Sequence, residues 1–270
     1  MSQGIRRIEA ELGVTLFVRD RTKVVPTAAA LQVAKEGMPL VLKVEALTQS
    51  IINQGTDVAY HVRIGLSQFY GHHMLGKTLK SFQQIEPTWE FHVVEGESHF
   101  LEQQICDGLV DVGLFPTPIY SQDLESYPVL DEQILLAISV ENKKAIDIAD
   151  SLMTSDGIRK IAPFGAFPFI LLREGLKLRT LVNRLCQAES FVPKAVIGAE
   201  TLDSCRSLVE DDYGITFLPN TLNSKGDDDK VKFYPLASKL CFRQLVFVAR
   251  SDRAKRFHLS EVAHIMQQFL

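Results

Sequence analysis

Apolar residues near the start of the chain recur at helical spacing, and the pattern then changes to short extended runs. Ile5, Ile8 and Leu12 predict an amphipathic helix that ends at Gly13, because glycine is favoured just beyond a helix C-terminus. The next stretch, TLFVRDRTKVV, predicts two short strands around a charged turn from Asp20 to Lys23. A helix followed by a basic hairpin is typical of the second half of a winged helix-turn-helix.

A long helix is predicted from Ala28 to Ile52, directly after Pro26 and Thr27. Its apolar positions alternate spacings of four and three residues, which is the seam pattern of a two-helix coiled coil. Packing of this face against the chain's own domain is the alternative. The seam residues that we expect to contact a second copy of the chain are Leu40, Val44, Leu47 and Ile51.

Strand and helix patterns alternate from a polar hinge at residues 53–57 to the end of the chain. Strands alternating with crossover helices indicate an α/β fold with largely parallel sheets. The strands are too many for one compact sheet, so we expect two α/β lobes. The predicted strands are 60–66, 89–95, 110–115, 133–140, 158–164, 194–199, 214–219, 231–236 and 241–250. The predicted helices are 73–85, 98–108, 174–188, 201–210 and 255–270.

Composition is that of an ordinary globular protein, with 46% hydrophobic and 23% charged residues and a net charge of −4 over 270 residues. Basic residues are concentrated at one end, because residues 1–25 hold five arginines and lysines against three acidic residues. No apolar run is long enough to span a membrane, and no signal-peptide pattern is present. We therefore expect a cytoplasmic protein with no membrane partner.

Four cysteines are widely spaced along the chain, at Cys106, Cys186, Cys205 and Cys241. We expect reduced and mostly buried thiols, since this is the ordinary state of cysteine in an intracellular protein. A redox pair such as Cys186 with Cys205 is the alternative.

Catalytic and metal-binding patterns are weak. His72 and His73 are adjacent, so on a helix they point about 100° apart and cannot easily share a metal. Glu95, Glu97 and His99 alternate, but Gly96 and the start of a predicted helix interrupt the strand that would align them. No phosphate-binding loop, nucleophile elbow or paired-carboxylate motif occurs. We therefore expect no enzymatic activity, no metal site and no cofactor.

The opening stretch SQGIRRIEAELGVTLFVRDRTKVVPT resembles the signature of the LysR-type transcriptional regulators. Four later stretches are similar, in order, to blocks of the family's effector-binding domain: VRIGL, EPTWEFHVVEG, LEQQICDGLVDVGLF and LVEDDYGITFLP. The resemblance covers essentially the whole chain. It implies an α/β fold in which a two-lobe, periplasmic-binding-protein-like effector domain is preceded by a long linker helix and a partial winged helix-turn-helix.

The resemblance divides the chain into three parts. Residues 1–25 are the partial winged helix-turn-helix, 26–54 the linker or dimerisation helix with its hinge, and 55–270 the effector-binding domain. Within that domain, lobe 1 comprises about 58–132 and 237–270, and lobe 2 about 133–236. In the family, the winged helix normally begins some way before the position that matches Met1, so we expect residues 1–270 alone to bind operator DNA weakly or not at all.

For DNA, the resemblance places the start of the chain near the major groove and the hairpin at the phosphate backbone. Arginine and short polar side chains can read base edges, and the basic side chains of a hairpin can neutralise phosphates. A solvated charged helix face is the alternative. The candidate DNA-binding residues are Ser2, Gln3, Arg6, Arg7, Arg19, Arg21 and Lys23.

For the effector, the relevant positions are those where strand ends and helix N-termini converge between two α/β lobes. Serine and threonine at helix N-termini present hydroxyls beside free backbone N–H groups, which suits a small carboxylate. Ordinary helix caps and turn residues are the alternative. Several aromatic residues favour an apolar or aromatic ligand. The candidates are Ser67, Gln68, Phe69, Glu97, Ser98, Phe115, Thr117, Phe164, Gly165, Ala166 and Thr201.

The function expected from the resemblance is ligand-responsive, DNA-binding regulation of transcription. The expected partners are promoter DNA, a small-molecule effector and further copies of the chain in a dimer or tetramer, with RNA polymerase as another candidate. A ligand-binding sensor or solute-binding protein of the same two-lobe fold, without autonomous DNA binding, is the alternative.

Overall fold

The computed structural model describes residues 3–20, 23–52, 61–222 and 230–270. They belong to two compact units. The first is built from the residues up to Tyr60 together with Asp107–Leu109, and the second from the remainder of the chain. Each unit is described by itself.

The first unit contains the predicted helix, hairpin and long helix. Its elements are α1 (Gln3–Leu12), β1 (Phe17–Asp20), β2 (Lys23–Pro26) and α2 (Ala28–Ile52). Strand β1 pairs antiparallel with β2, with Phe17 opposite Pro26. Helix α1 ends before Gly13, whose φ of +67° is a conformation that glycine adopts readily. The predictions for these elements are confirmed.

Two polar side chains connect the elements of the first unit. The Glu9 carboxylate accepts hydrogen bonds from the backbone N–H groups of Leu16, at 2.7 Å, and Phe17, at 3.2 Å, which holds the start of the hairpin against α1. The Thr27 hydroxyl accepts from the Ala30 N–H at 3.2 Å and so caps α2. The same hydroxyl lies 2.9 Å from the carbonyl oxygen of Thr15.

The strands of the second unit form one large sheet and one small one. They are β3 (His61–Ser67), β4 (Glu90–Gly96), β5 (Val112–Pro116), β6 (Leu124–Ser139), β7 (Pro168–Leu172), β8 (Lys194–Ala199), β9 (Thr216–Pro219), β10 (Val231–Pro235) and β11 (Phe242–Arg250). Seven of them form a mixed sheet in the order β10-β6-β11-β5-β3-β4, with β9 also paired to β6. A separate parallel pair is formed by β7 and β8.

Strand β6 belongs to both lobes. Its first part, Leu124–Gln133, pairs with β11, and its second part, Ile134–Ser139, pairs with β9 and β10. We call the first lobe β3, β4, β5, β11 and the first part of β6, with the helices packed on them. The second lobe consists of the rest of β6 and of β7 to β10 with their helices. The two-lobe α/β architecture predicted from the sequence is confirmed.

The helices of the second unit lie between the strands, as crossovers require. In the first lobe they are α3 (Gln68–Gln83), α4 (Ser98–Cys106), α8 (Ser251–Arg256) and α9 (Leu259–Gln268). In the second lobe they are α5 (Lys143–Leu152), α6 (Lys177–Ala188) and α7 (Leu202–Glu210). A core cluster of the first lobe joins α4 to β5 and β11 through Leu101, Ile105, Val110, Phe115, Val246 and Val248.

Three details of the sequence prediction are wrong. The sheet is mixed rather than largely parallel, because β6 and β11 run antiparallel to each other. The predicted helix over 255–270 is two helices, separated by His258 in a left-handed conformation with φ of +51°. Residues 158–164 do not form a strand.

Two features favour a non-extended conformation of the segment 158–164, one within it and one from α6. Ile158 makes a single bridge to Leu236, and Ala162–Ala166 is a 3-10 helix. Pro163 lies in the first turn of that helix, where its missing N–H costs nothing. The Glu189 carboxylate accepts from the N–H of Ile161, at 2.7 Å, and of Ala162, at 3.0 Å.

Among the residues described, no helix is both long and apolar enough to cross a membrane.

Candidate ligand-binding cleft

A cleft of about 740 Å³ lies between the two lobes. The first lobe contributes the ends of β3 and β4 with the starts of α3 and α4. The second lobe contributes the end of β7 and the starts of α6 and α7. Four helix N-termini therefore meet the cleft, and each presents backbone N–H groups that no carbonyl of its own helix can satisfy. Such a cavity is suited to a small anionic group.

Two residues with hydroxyl side chains in this cleft differ in their hydrogen-bond partners. Ser67 occupies the position before α3, but its side chain makes no capping hydrogen bond. Thr201 caps α7 by accepting from the Ser204 N–H at 3.1 Å, and it also lies 2.8 Å from the Ser204 hydroxyl. Among the described residues, the Ser67 hydroxyl thus has no partner, whereas that of Thr201 has two.

Six of the predicted effector residues come together in this cleft. They are Ser67, Gln68, Phe69, Glu97, Ser98 and Thr201. Phe115 does not line the cleft; it is fully buried, and the ammonium of Lys177 lies 5.0 Å from the centre of its ring. Thr117 lines a neighbouring cavity instead, and its hydroxyl accepts from the Gln244 N–H at 3.0 Å.

The structure does not bring Phe164, Gly165 and Ala166 to the cleft. They were expected there because a strand was predicted to end at residue 164. The segment instead forms the 3-10 helix described above, in which Phe164 is fully buried and lies 6.3 Å from the ring of Phe167. Without a strand to direct the segment toward the cleft, it packs into the second lobe.

Arg173 is a cleft residue that the sequence prediction missed. It follows β7 in the second lobe and donates hydrogen bonds to Glu97 of the first lobe and, at 2.6 Å, to Glu200 of its own lobe. The guanidinium therefore links the lobes across the mouth of the cleft. Both glutamates raise the pKa of Arg173, Glu200 most strongly, so the group is charged at any ordinary pH.

Lys177, at the start of α6, makes a second connection between the lobes. Its ammonium donates to the carbonyl oxygens of Pro116, at 2.9 Å, and Pro118, at 2.6 Å. The nearest carboxylate is that of Glu102, at 3.7 Å. Burial lowers the pKa of Lys177 to about 8, and Glu102 opposes this shift. An anion bound beside Lys177 would favour its charged form.

Below these groups lies a buried network in which Glu132 is the central residue. Arg243 donates to the Glu132 carboxylate at 2.6 Å, and the Tyr70 hydroxyl donates to both of its oxygens at 2.8 Å. Thr221 donates to the same carboxylate at 2.9 Å. Glu132 is fully buried, and Arg243 also lines the cleft. The network thus joins α3, β6 and β11 where the strands pass between the lobes.

The charges of this network are mutually dependent. Burial raises the pKa of Tyr70 well above its usual value, so its hydroxyl keeps the proton that it donates. Burial also opposes the charge of Arg243, but Glu132 and Tyr70 outweigh it and raise the pKa of Arg243. Removing the carboxylate would therefore leave a buried cation without compensation.

Neither histidine of the adjacent pair has a metal-like environment. His73 lies 3.0 Å from Asp203, which places another polar contact between the lobes. In the described part of the chain, no group of three or more histidine, cysteine, aspartate or glutamate side chains could hold a metal ion.

The four cysteines are free thiols. Burial raises the pKa of Cys186 and of Cys205 to about 11 and that of Cys241 to about 12. Cys106 is half-buried, and its thiol donates to the Ser121 hydroxyl at 3.3 Å. Because the thiolate is the reactive form, Cys186, Cys205 and Cys241 are poorly reactive at neutral pH.

The predicted DNA-binding residues are described only in part. Ser2 and Arg21 lie outside the described residues, and the side chains of Gln3, Arg19 and Lys23 are likewise outside the description. Arg6 and Arg7 are exposed on α1, and Arg7 bonds Glu11 at 2.9 Å.

The seam residues on α2 are exposed in the single chain. The exposed fractions of Leu40, Val44 and Leu47 are 62%, 64% and 60%. The side chain of Ile51 lies outside the description.

The structure has two α/β lobes with a cleft between them whose volume is in the usual range for a small-molecule site. Residues 56–270 match the LysR substrate binding domain family. The chain is 28% identical over 262 residues to the uncharacterized HTH-type transcriptional regulator YcgK of Bacillus subtilis, covering 94% of this chain and 80% of that protein. It is 24% identical over 264 residues to the hydrogen peroxide-inducible genes activator of Haemophilus influenzae, covering 97% and 85%.

Solved structures share the fold. The effector binding domain of a BenM variant is 14% identical with a TM-score of 0.64, covering 77% of this chain and 93% of that one. A full-length OxyR variant from Pseudomonas aeruginosa is 17% identical with a TM-score of 0.60, covering 97% and 88%. The chain therefore belongs to the LysR-type family of ligand-responsive transcriptional regulators.

Proposed function

We propose that the effector is a small organic carboxylate bound in the interlobe cleft. The observation that carries this proposal is the Ser67 hydroxyl, which lines the cleft at the N-terminus of α3 and has no hydrogen-bond partner among the described residues. Thr201 at the start of α7 faces the same space from the other lobe, and Lys177 supplies a positive charge that Glu102, at 3.7 Å, offsets only in part. A volume of about 740 Å³ is in the usual range for a small-molecule site.

The cleft also supplies a way for such a ligand to act on the lobes. Arg173 links them through Glu97, which lines the same cleft. A bound carboxylate would compete with Glu97 for the guanidinium and so exchange an interlobe ion pair for a contact to ligand. An effector shifts a conformational equilibrium only through such a difference in contacts between states.

A thermal-shift panel of small carboxylates tests this function. At a concentration of 100 times its dissociation constant, an effector should stabilise the chain by about 2.7 kcal/mol, because it binds the folded form alone. Each acid is paired with its neutral amide, for example benzoate with benzamide. Stabilisation by the amides to the same extent as by the acids, or by no member of the panel, would contradict the carboxylate assignment.

Peroxide sensing is not carried over from the relatives. The Haemophilus influenzae protein is named an activator of hydrogen peroxide-inducible genes. In this chain, burial raises the pKa values of Cys186, Cys205 and Cys241, which disfavours the thiolates that react with peroxide. The cleft is therefore a better candidate for the site of the signal than these three thiols.

DNA recognition is proposed for α1 and the hairpin. We expect Arg6→Ala to cost about 1–3 kcal/mol of specific binding and to relax selectivity at one base pair. Arg7→Ala is the matched control. Because Arg7 is already paired with Glu11, its replacement should change binding to all DNA sequences by the same amount. Anisotropy titrations at low salt, where weak binding to DNA is still measurable, measure both on a duplex selected from a randomised library. Equal losses on selected and random DNA for Arg6→Ala would refute base reading by this residue.

Self-association is proposed through the seam on α2. We expect Leu40→Glu to convert the dimer or tetramer to monomers, because a carboxylate at a seam position has no partner when it is buried. Leu31→Glu is the control, since Leu31 is 60% exposed on the same helix but lies off the seam. Sedimentation velocity distinguishes the species. Dissociation by both variants alike, or by neither, would exclude the seam as the interface.

A further inference from the structure

A second cavity of about 300 Å³ adjoins the cleft and is distinct from it in composition. It is formed by the loop after β5, one side of α6 and the start of β11. Lys177 and Arg243 line both cavities. The other lining residues belong to the second cavity alone, so the two can be altered separately.

The lining of this cavity carries four cations and no acidic residue: Lys177, Arg184, Lys239 and Arg243. Beneath the cavity wall, buried Glu132 neutralises Arg243, and buried Glu102 lies 3.7 Å from Lys177. Arg184 and Lys239 stand at the rim with exposed side chains. Neither has an ion pair or side-chain hydrogen bond among the residues that the structure describes. The two rim cations, Arg184 and Lys239, thus border a concave space and have no anionic partner among the described residues.

Two aromatic rings complete the cavity. Tyr120 is 57% exposed and Phe242 is 58% exposed, and both line it. The Lys177 ammonium lies 5.5 Å from the centre of the Tyr120 ring. Exposed rings beside unpaired cations are suited to a ligand that combines a flat apolar body with a negative group.

We infer that this cavity is a second ligand site, which takes an aromatic carboxylate with its ring against Tyr120 and Phe242 and its charge toward Arg184 and Lys239. The site is separate from the proposed effector site. Its ligand would share the wall formed by Lys177 and Arg243 with any molecule in the cleft.

Calorimetric titration of the full chain with sodium 4-fluorobenzoate tests the inference. The double variant Arg184→Ala, Lys239→Ala should weaken binding of 4-fluorobenzoate to this cavity by about tenfold or more, since two cations at the rim are lost. The matched control, Arg159→Ala with Lys160→Ala, removes the same charge from exposed positions of the second lobe that line neither cavity. This control should leave the affinity of the cavity for 4-fluorobenzoate unchanged.

Two further arms separate this site from the cleft. Ser67 lines the cleft but not this cavity. Ser67→Ala should therefore leave binding of 4-fluorobenzoate to the cavity unchanged, whether or not the cleft also binds it. Inorganic phosphate should bind this site at least tenfold more weakly than 4-fluorobenzoate, because it offers no ring to Tyr120 and Phe242. The inference is overturned if the Arg184, Lys239 variant binds 4-fluorobenzoate as tightly as the unaltered chain, or if the control variant weakens binding equally. It is also overturned if Ser67→Ala abolishes binding of 4-fluorobenzoate, or if phosphate binds as tightly as 4-fluorobenzoate.

Discussion

Replacing Glu132 by alanine should lower the free energy of unfolding by about 3–5 kcal/mol, the usual loss when one partner of a buried ion pair is removed. The carboxylate is fully buried and accepts hydrogen bonds from Arg243, Tyr70 and Thr221. Without it, the guanidinium stays in a buried site with no compensating charge. Urea unfolding of the full chain, followed by circular dichroism, measures the loss.

The double replacement Glu132→Leu, Arg243→Met is the control. It removes both charges, and such replacements of buried pairs by apolar residues are often close to neutral. We therefore expect it to recover most of the stability lost in Glu132→Ala. A loss below about 1 kcal/mol for the single variant, which is the range of an exposed pair, would contradict the buried-network description.

Ser67→Ala should weaken binding of the effector carboxylate by about 10- to 150-fold, since a hydrogen bond to a charged group contributes about 1.5–3 kcal/mol. Stability should change by less than about 0.5 kcal/mol, because the hydroxyl makes no capping bond to α3. Calorimetric titration with the carboxylate identified by thermal shift measures the affinity, and urea unfolding measures the stability.

Thr201→Val provides the contrast within the same cleft. It keeps the shape of the side chain but removes an oxygen that accepts from the Ser204 N–H, so about 1 kcal/mol of stability should be lost together with affinity. If Ser67→Ala instead lowered stability and left affinity unchanged, Ser67 would be an ordinary helix cap and the effector would have to bind elsewhere.

Local pattern was sufficient to predict most elements of the fold. Ala28–Ile52 and the hairpin around residues 20–23 lie where their apolar spacing and turn residues placed them. Residues 158–164 looked extended because of their apolar content. The Glu189 carboxylate, at the end of α6, accepts two of their backbone N–H groups, and no pattern within the segment predicts that contact.

The sequence predicted only those residues of the cleft that have a local signal. Ser67 and Thr201 could be found because a hydroxyl between a strand and a helix is a local signal. Arg173, Lys177 and Arg243 could not, since each acts on residues far away in sequence. Arg243 and Glu132 are 111 positions apart. One signal was available: both are charged residues directly beside an apolar run of a predicted strand, and charged side chains in such positions are rarely buried unless paired.

The path of β6 through both lobes has a consequence for biosynthesis. The second lobe uses one span of sequence, but the first lobe needs β11, α8 and α9 from the last part of the chain. Helix α9 packs on α3, and Gln267 donates to the Pro128 carbonyl at 3.0 Å. On the ribosome, therefore, the second lobe can fold while the first still lacks β11, and the cleft is completed only once β11 contributes Arg243 to its lining.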